Sequence, residues 1–311
     1  MESITVIGCG TMGHTIALSA IWAGFNVTMT GTSQDELEQG TANTKAKLSF
    51  LADNDVLHPS KVDDIMQRLS TSLSLQEAVD GATIVFEAVP ENLELKKKIY
   101  KELDSICDHH VILASNTSGL SPTDIASDTK HPERVLVAHF WNPAHLIPLV
   151  EVVPGKNTNN QAIQRIFDVL YQMRKKPIEV KKDISGFIGN RLQYALFREA
   201  QHLLEIGAAS KEDIDAAVTY SIGRRLPVTG PFMTADLGGL DVFSSISDYL
   251  FSDLSDADES LHHLKNLVHE NKLGEKTGEG FYDWENDFSE NINQEREKEL
   301  IHFMKQDLKQ S

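Results

Sequence analysis

Ile4-Thr5-Val6-Ile7-Gly8-Cys9-Gly10-Thr11-Met12-Gly13 is the stretch on which the fold turns. A β-branched run ends at Gly8, Gly8 to Gly13 fits G-x-G-x-x-G, and the segment from Gly13 to Ala23 has the length and composition of a helix. The first glycine allows a tight turn, the second lets backbone approach a pyrophosphate, and the third permits close helix packing, while the helix N-terminus faces negative charge. The six-residue motif alone also fits a flexible turn. Strand, motif and helix in succession point to a dinucleotide site built on Gly8, Gly10, Thr11, Met12 and Gly13. After the second strand, Thr28-Met29-Thr30-Gly31-Thr32-Ser33 puts Gly31 where an acid ordinarily binds the adenine ribose. No Arg or Lys stands nearby to receive a 2′-phosphate, so NAD is expected rather than NADP.

Outward from this unit, short apolar runs recur at 25–30, 82–89, 110–116, 134–140 and 148–153, separated by helix-length amphipathic segments such as Glu94 to Ile106. Such alternation predicts a parallel sheet of crossover units. Ser121-Pro122-Thr123-Asp124 starts a further helix, and Pro177 to Val180 reads as a last strand. From Ser185 the pattern turns helical: Gly186 to Ile206 ends at a capping Gly207, Ser210 to Asp213 resembles a capping box, and 290–308 forms a helix with one apolar face. The expected fold is α/β, an N-terminal Rossmann-type doubly wound sheet over 1–183 followed by an all-α domain over 184–311.

At 311 residues the chain suits about two domains of roughly 150 residues each. Its 41% hydrophobic and 24% charged content exclude a disordered or fibrous chain. The formal charge of −17 disfavours nucleic acid and anionic membranes as partners, while a local basic patch or helix N-terminus can still hold an anionic small substrate. Cys9 and Cys107 are too few for a disulfide framework or a zinc site and read as intracellular thiols; no metal is expected. With no signal-peptide pattern and no apolar run of about 18 residues, the expected location is the cytoplasm.

His139 ends the 134–140 run, and Glu151 follows twelve residues later in the next one. A strand-end histidine beside a carboxylate makes a base for an alcohol proton, the carboxylate fixing the tautomer and stabilising the imidazolium. The two residues equally fit a core histidine satisfied by a carbonyl and a glutamate paired with an arginine. Asn116-Thr117-Ser118-Gly119 supplies small polar donors where open parallel sheets bind ligands, or forms an ordinary turn. Asn190 lies on the helical stripe Phe187, Asn190, Tyr194, Phe197, either as a helix-to-helix hydrogen bond or as a substrate ligand. Lys96, beyond Glu87-Ala88-Val89-Pro90-Glu91-Asn92, could cover the cofactor entrance or sit on a solvated face.

Taken in order, GCGTMG (8–13), FEAVPENLELKK (86–97), SNTSGL (115–120), AHFWNPAHLIPLVEVV (138–153), GFIGNRL (186–192), GP (230–231) with DLGGLD (236–241), and KTGEGFYDW (276–284) resemble the 3-hydroxyacyl-CoA dehydrogenase family, including short-chain 3-hydroxybutyryl-CoA dehydrogenases. The resemblance implies an NAD-dependent oxidoreductase of fatty acid metabolism with a His139 and Glu151 dyad. It implies that Ser118, Asn190 and Asn142 contact substrate, that Ala88, Glu91, Lys96 and Asn116 serve the cofactor, and that the chain is a homodimer through its helical domain. Gly31 and Trp141 depart from the more common family pattern. Segments 76–100 and 190–196 also resemble the lambda-crystallin branch, whose enzymes oxidise L-gulonate, and the carnitine dehydrogenases. A free hydroxy acid, or a non-catalytic dinucleotide-binding role, is therefore the alternative to a short acyl-CoA substrate.

Overall fold

The computed structural model describes residues 2–285 and 287–310, with the side chain of Gln310 left out. Eight strands form one sheet in the order β3-β2-β1-β4-β5-β6-β7-β8, with β1 Ser3–Ile7, β2 Asn26–Thr30, β3 Leu69–Ser72, β4 Ile84–Glu87, β5 Ile112–Ser115, β6 Val135–Phe140, β7 Leu149–Pro154 and β8 Lys176–Glu179. The first six strands have the order of a doubly wound dinucleotide fold. Chain order reverses between β1 and β4, so Gly8 and Ala88 emerge side by side at the switch point, where such sheets open a crevice.

The central strands are near-continuous apolar runs because helices cover both faces. Ile4, Val6, Ile84, Phe86, Leu136 and Ala138 are wholly buried. Phe86 meets Phe140 edge-on, with ring centroids 5.4 Å apart. β3 lacks this signature: Leu-Ser-Thr-Ser at a sheet edge carries one apolar side chain, and the sequence pattern misses it.

β7 also corrects the expectation of a wholly parallel sheet. It runs antiparallel to β6, with His139 directly opposite Glu151. The short 141–148 connection cannot hold the crossover that a parallel partner would need. Residues directly opposite in an antiparallel pair share a face, so the pairing itself brings the histidine to the carboxylate.

The chain divides into two compact units: one ends at Asn190 and resumes at Arg296, and the other runs from Arg191 to Glu295. These units part a few residues after the expected boundary near Asp183, and the tail from Arg296 groups with the first unit. Ile301, on the C-terminal helix Phe288–Gln310, is buried in the hydrophobic core of the first unit, packed with the strands and helices of the dinucleotide fold. The helix expected from Gly186 spans Gly189–Glu205 instead, because Gly186 and Phe187 adopt φ values of 74° and 52° and break the approach. Gly207 and the Ser210 cap form as read: Gly207 has φ 68°, and Asp213 N–H donates to Ser210 Oγ at 3.1 Å.

The second unit is helical. Among its described residues Ile214 is the buried hydrophobic side chain, whereas Phe232 is 89%, Val228 81% and Leu237 76% exposed. No helix among the described residues is long and apolar enough to cross a membrane.

Candidate active site

Helix α1, Thr11–Trp22, begins directly after Gly10 and has no side-chain cap, so its first N–H groups face the opening above β1. Residues Gly8 to Met12, Gly31, Glu36 and Ala88 line a groove of about 1220 Å³ there. An ideal Cβ on Gly10 would meet nothing within 4 Å, leaving the backbone open to a bulky group. Open backbone at a helix N-terminus, in a groove of this size, fits the pyrophosphate and adenosine of a dinucleotide.

Gly31 leaves no place for the missing ribose acid, since a Cβ there would lie 2.7 Å from Cys9 Sγ. The sequence reading overlooked Glu36, which enters the same groove from the first turn of α2, Gln34–Asp53. Glu36 Oε2 accepts from Thr32 N–H at 2.9 Å and Thr32 Oγ at 2.8 Å. These hydrogen bonds hold its carboxyl below the ordinary glutamate value.

Across the sheet, His139 Nδ1 lies 2.8 Å from Glu151 Oε2. Trp141 Nε1–H donates to the same oxygen at 3.2 Å, while Glu151 Oε1 accepts from Ile188 and Gly189 N–H at 2.8 and 2.9 Å. The carboxylate thus occupies the N-terminus of the Gly189–Glu205 helix, where the backbone favours negative charge. It is wholly buried, and the histidine nearly so, with the Phe187 ring 5.7 Å from the imidazole. Burial works against ionisation of Glu151, but His139 and the two backbone donors outweigh it and hold the carboxyl below its ordinary 4.5.

The sign for stability follows. A depressed carboxylate adds stability in full above the unfolded value near 4.5 and loses it as pH falls through the lower folded value. The Glu151→Gln variant should accordingly lose less stability between pH 5 and 3 than the parent, measured by urea denaturation along that range. Equal losses would contradict this.

Lys96 corrects both sequence readings, since it neither covers an entrance nor lies on a solvated face. It is wholly buried, its ammonium 2.6 Å from Glu87 Oε1 and 3.6 Å from Glu91 Oε2. Glu87, at the end of β4, is equally buried and also accepts from Ser115 Oγ at 2.6 Å and Val89 N–H at 2.8 Å. A buried carboxylate needs such a partner, because breaking a buried pair costs about 3–5 kcal/mol. A glutamate inside an apolar strand with a lysine nine residues on was the available signal.

From this pair the polar contacts run outward. Glu91 Oε1 accepts from Thr117 Oγ at 2.5 Å and Ser118 N–H at 3.1 Å, and Asn190 Nδ2 donates to Ser118 O at 3.1 Å. Glu91, Ser118 and Asn190 are thereby brought together within the first unit. The Asn116 carboxamide oxygen accepts from Phe140 N–H at 2.8 Å and so ties β5 to β6. Asn142 is exposed just past β6.

Residues 3–184 match the family model for the 3-hydroxyacyl-CoA dehydrogenase NAD binding domain, and residues 186–284 match that for its C-terminal domain. A probable 3-hydroxybutyryl-CoA dehydrogenase of Bacillus subtilis is 37% identical over 286 residues, covering 92% of this chain and 98% of its own. The 5-formyl-3-hydroxy-2-methylpyridine 4-carboxylate 5-dehydrogenase of Mesorhizobium japonicum is 32% identical over 301 residues, covering 97% and 96%. A crystal structure of an NAD-dependent enzyme of that activity superposes with a TM-score of 0.91 at 31% identity, covering 99% of this chain and 98% of its own. With both domain models matched in order along a doubly wound fold, the chain belongs to the 3-hydroxyacyl-CoA dehydrogenase family and is an NAD-dependent oxidoreductase.

Proposed function

We propose that this enzyme interconverts a short-chain L-3-hydroxyacyl-CoA and the 3-oxoacyl-CoA in the cytoplasm. The observation that carries the chemistry is the buried His139 and Glu151 pair. With Nδ1–H donated to an ionised Glu151, the neutral imidazole keeps its lone pair on Nε2, which takes the proton of the substrate hydroxyl. Glu151, held by two backbone donors and Trp141, balances the imidazolium that results. Ser118 and Asn190 hold the reacting oxygen in register, and Asn142 adds a substrate contact. Bound NAD supplies the hydride acceptor. Gly8 to Gly13 and Ala88 hold its phosphates and adenosine half, while Glu91, Lys96 and Asn116 shape the nicotinamide end, Lys96 through its pairing with Glu87.

A free carboxylate substrate is the second reading, favoured by the end-to-end superposition on the pyridine-carboxylate enzyme. Assay of acetoacetyl-CoA, L-carnitine, L-gulonate and the 5-formylpyridine carboxylate with NAD(H) decides between them. A specificity for acetoacetyl-CoA at least about tenfold above the others supports the acyl-CoA reading, and a better free acid overturns it. Measurable NADH binding without turnover on any of the four would support a non-catalytic role.

Glu36 and Asp35, lining the groove beside Gly31, supply the negative charge that disfavours a 2′-phosphate. Glu36→Gln should narrow the ratio of NADP to NAD dissociation constants by about tenfold, since like charge is removed. An unchanged ratio would count against Glu36. Gly31→Asp should lower the melting temperature rather than sharpen the choice, because its Cβ meets Cys9 Sγ.

The exposed Phe232, Val228 and Leu237 support a homodimer through the second unit, as such a surface rarely stays bare. Sedimentation at micromolar concentration should give a species of twice the 34.6 kDa chain mass. An active species at the single-chain mass would defeat the dimer.

A further inference from the structure

A second cavity, of about 230 Å³, lies in the first unit and shares no lining residue with the dinucleotide groove. Its apolar wall includes Trp22, Leu146, Met173 and Met304. Set into that wall is Lys175, 5% exposed, whose ammonium donates to the carbonyls of Ala144 and Ile147. No carboxylate lies within ion-pair distance of it among the described residues. A buried cation with only carbonyl partners is an uncompensated charge, and burial pulls its pKa down to about 7.

A second, independent feature lies in the same wall. His145 is 2% exposed, and its Nδ1 has no hydrogen-bond partner. Burial, followed by the charges of Lys47, Lys175 and His14, keeps this ring neutral, with a pKa of about 3, so it can donate without carrying charge. Arg174 also lines the cavity, its guanidinium 4.8 Å from the centre of the Trp22 ring. The acid of the lining is Asp307, which is solvent-exposed. In a chain of net charge −17, this is a local concentration of positive charge beside an apolar hollow.

We propose that this cavity is a binding site for a small apolar monocarboxylate, its carboxylate on Lys175 and His145 and its body against Trp22 and Met304. Size and lining select that class. The volume falls below the roughly 300–1,000 Å³ typical of drug-sized ligands, so the occupant is of benzoate rather than nucleotide size. A dianion such as phosphate would leave most of its oxygens facing hydrocarbon. Lys175, His145 and Trp22 lie within the matched residues 3–184, whereas Met304 and Asp307 come from the C-terminal helix, beyond residue 284 where the family match ends, so that helix contributes part of the cavity wall.

Calorimetric titration of the full-length protein with benzoate and its uncharged isostere benzamide tests the assignment. Benzoate should bind at one site with a dissociation constant near or below about 1 mM, at least about tenfold tighter than benzamide. Lys175→Met should erase the preference for the anion, and Met304→Trp, which fills the cavity from a half-buried helix position, should abolish binding of both. NADH affinity should stay within about twofold in each variant. Should Lys175→Met fail to fold, Met304→Trp carries the test alone. Absence of saturable benzoate binding to the parent up to about 10 mM overturns the proposal, as does undiminished binding to Met304→Trp, which would put the probe elsewhere.

Discussion

His139→Gln should lower kcat by about a thousandfold or more while leaving NADH affinity within a few fold. The magnitude follows from the loss of a positioned base, worth about 10²–10⁴ in rate, or about 4 kcal/mol for a thousandfold. Glutamine can reach toward Glu151 but cannot take a proton from an alcohol. The cofactor groove is lined by the ends of β1 and β2, the N-terminal parts of α1 and α2, and the segment after β4, and His139 is not among them, so binding should survive. Glu151→Gln should also cripple kcat. Its amide would turn one polar end toward donors, with Ile188 and Gly189 N–H on one side and Trp141 Nε1–H on the other, and it could not balance an imidazolium. Steady-state rates, together with NADH titration by fluorescence, separate the two effects. Turnover near that of the parent in His139→Gln would remove the histidine from the chemistry.

How far these residues could be read from sequence depended on whether their placement rests on local pattern or on pairing between distant segments. The β1, motif and α1 unit was legible because period, glycine spacing and helix start lie within one short stretch. His139 and Glu151 were legible as a dyad through the family resemblance, while their spacing alone left a satisfied core histidine and a separately paired glutamate equally open. Pattern alone takes β7 for another parallel strand, and only its antiparallel register makes the two residues cross-strand neighbours. Lys96 was misread for a related reason. Its helix is amphipathic and charged, and the one local hint that Lys96 turns inward is Glu87 at the end of an apolar strand, which it meets together with Ser115 Oγ on the other carboxylate oxygen. The C-terminal helix shows one apolar face in its sequence, yet which core receives Ile301 is a question of tertiary packing. β3 was lost because an edge strand of Ser and Thr needs little hydrophobicity when a single neighbour, β2, supplies its hydrogen bonds.

The glycine motif carries the second large effect, one that acts on binding rather than on rate. An ideal Cβ on Gly13 would fall 1.8 Å from the carbonyl oxygen of Gly8, far inside van der Waals contact. Neither partner can readily withdraw. Gly8 N–H donates to Thr30 O at 2.8 Å, Gly8 itself has φ 100°, and a Cβ there would meet Ala88 O at 2.7 Å. Gly13 sits in the first turn of α1 and is buried beside Val6. In Gly13→Ala the helix must therefore lift off the β1 turn, carrying its N-terminal N–H groups away from the position at which they meet a pyrophosphate. Overpacking of this kind costs about 1–3 kcal/mol or more, and lost alignment adds to it. NADH affinity should fall at least about a hundredfold, equivalent to about 3 kcal/mol, with a lower melting temperature that added NADH no longer raises. Gly10→Ala is the internal control: its Cβ points into open space, so the apo melting temperature should hold while cofactor binding weakens. If Gly13→Ala kept parental affinity and stability, the packing of α1 against the Gly8 turn could not be what shapes the cofactor site.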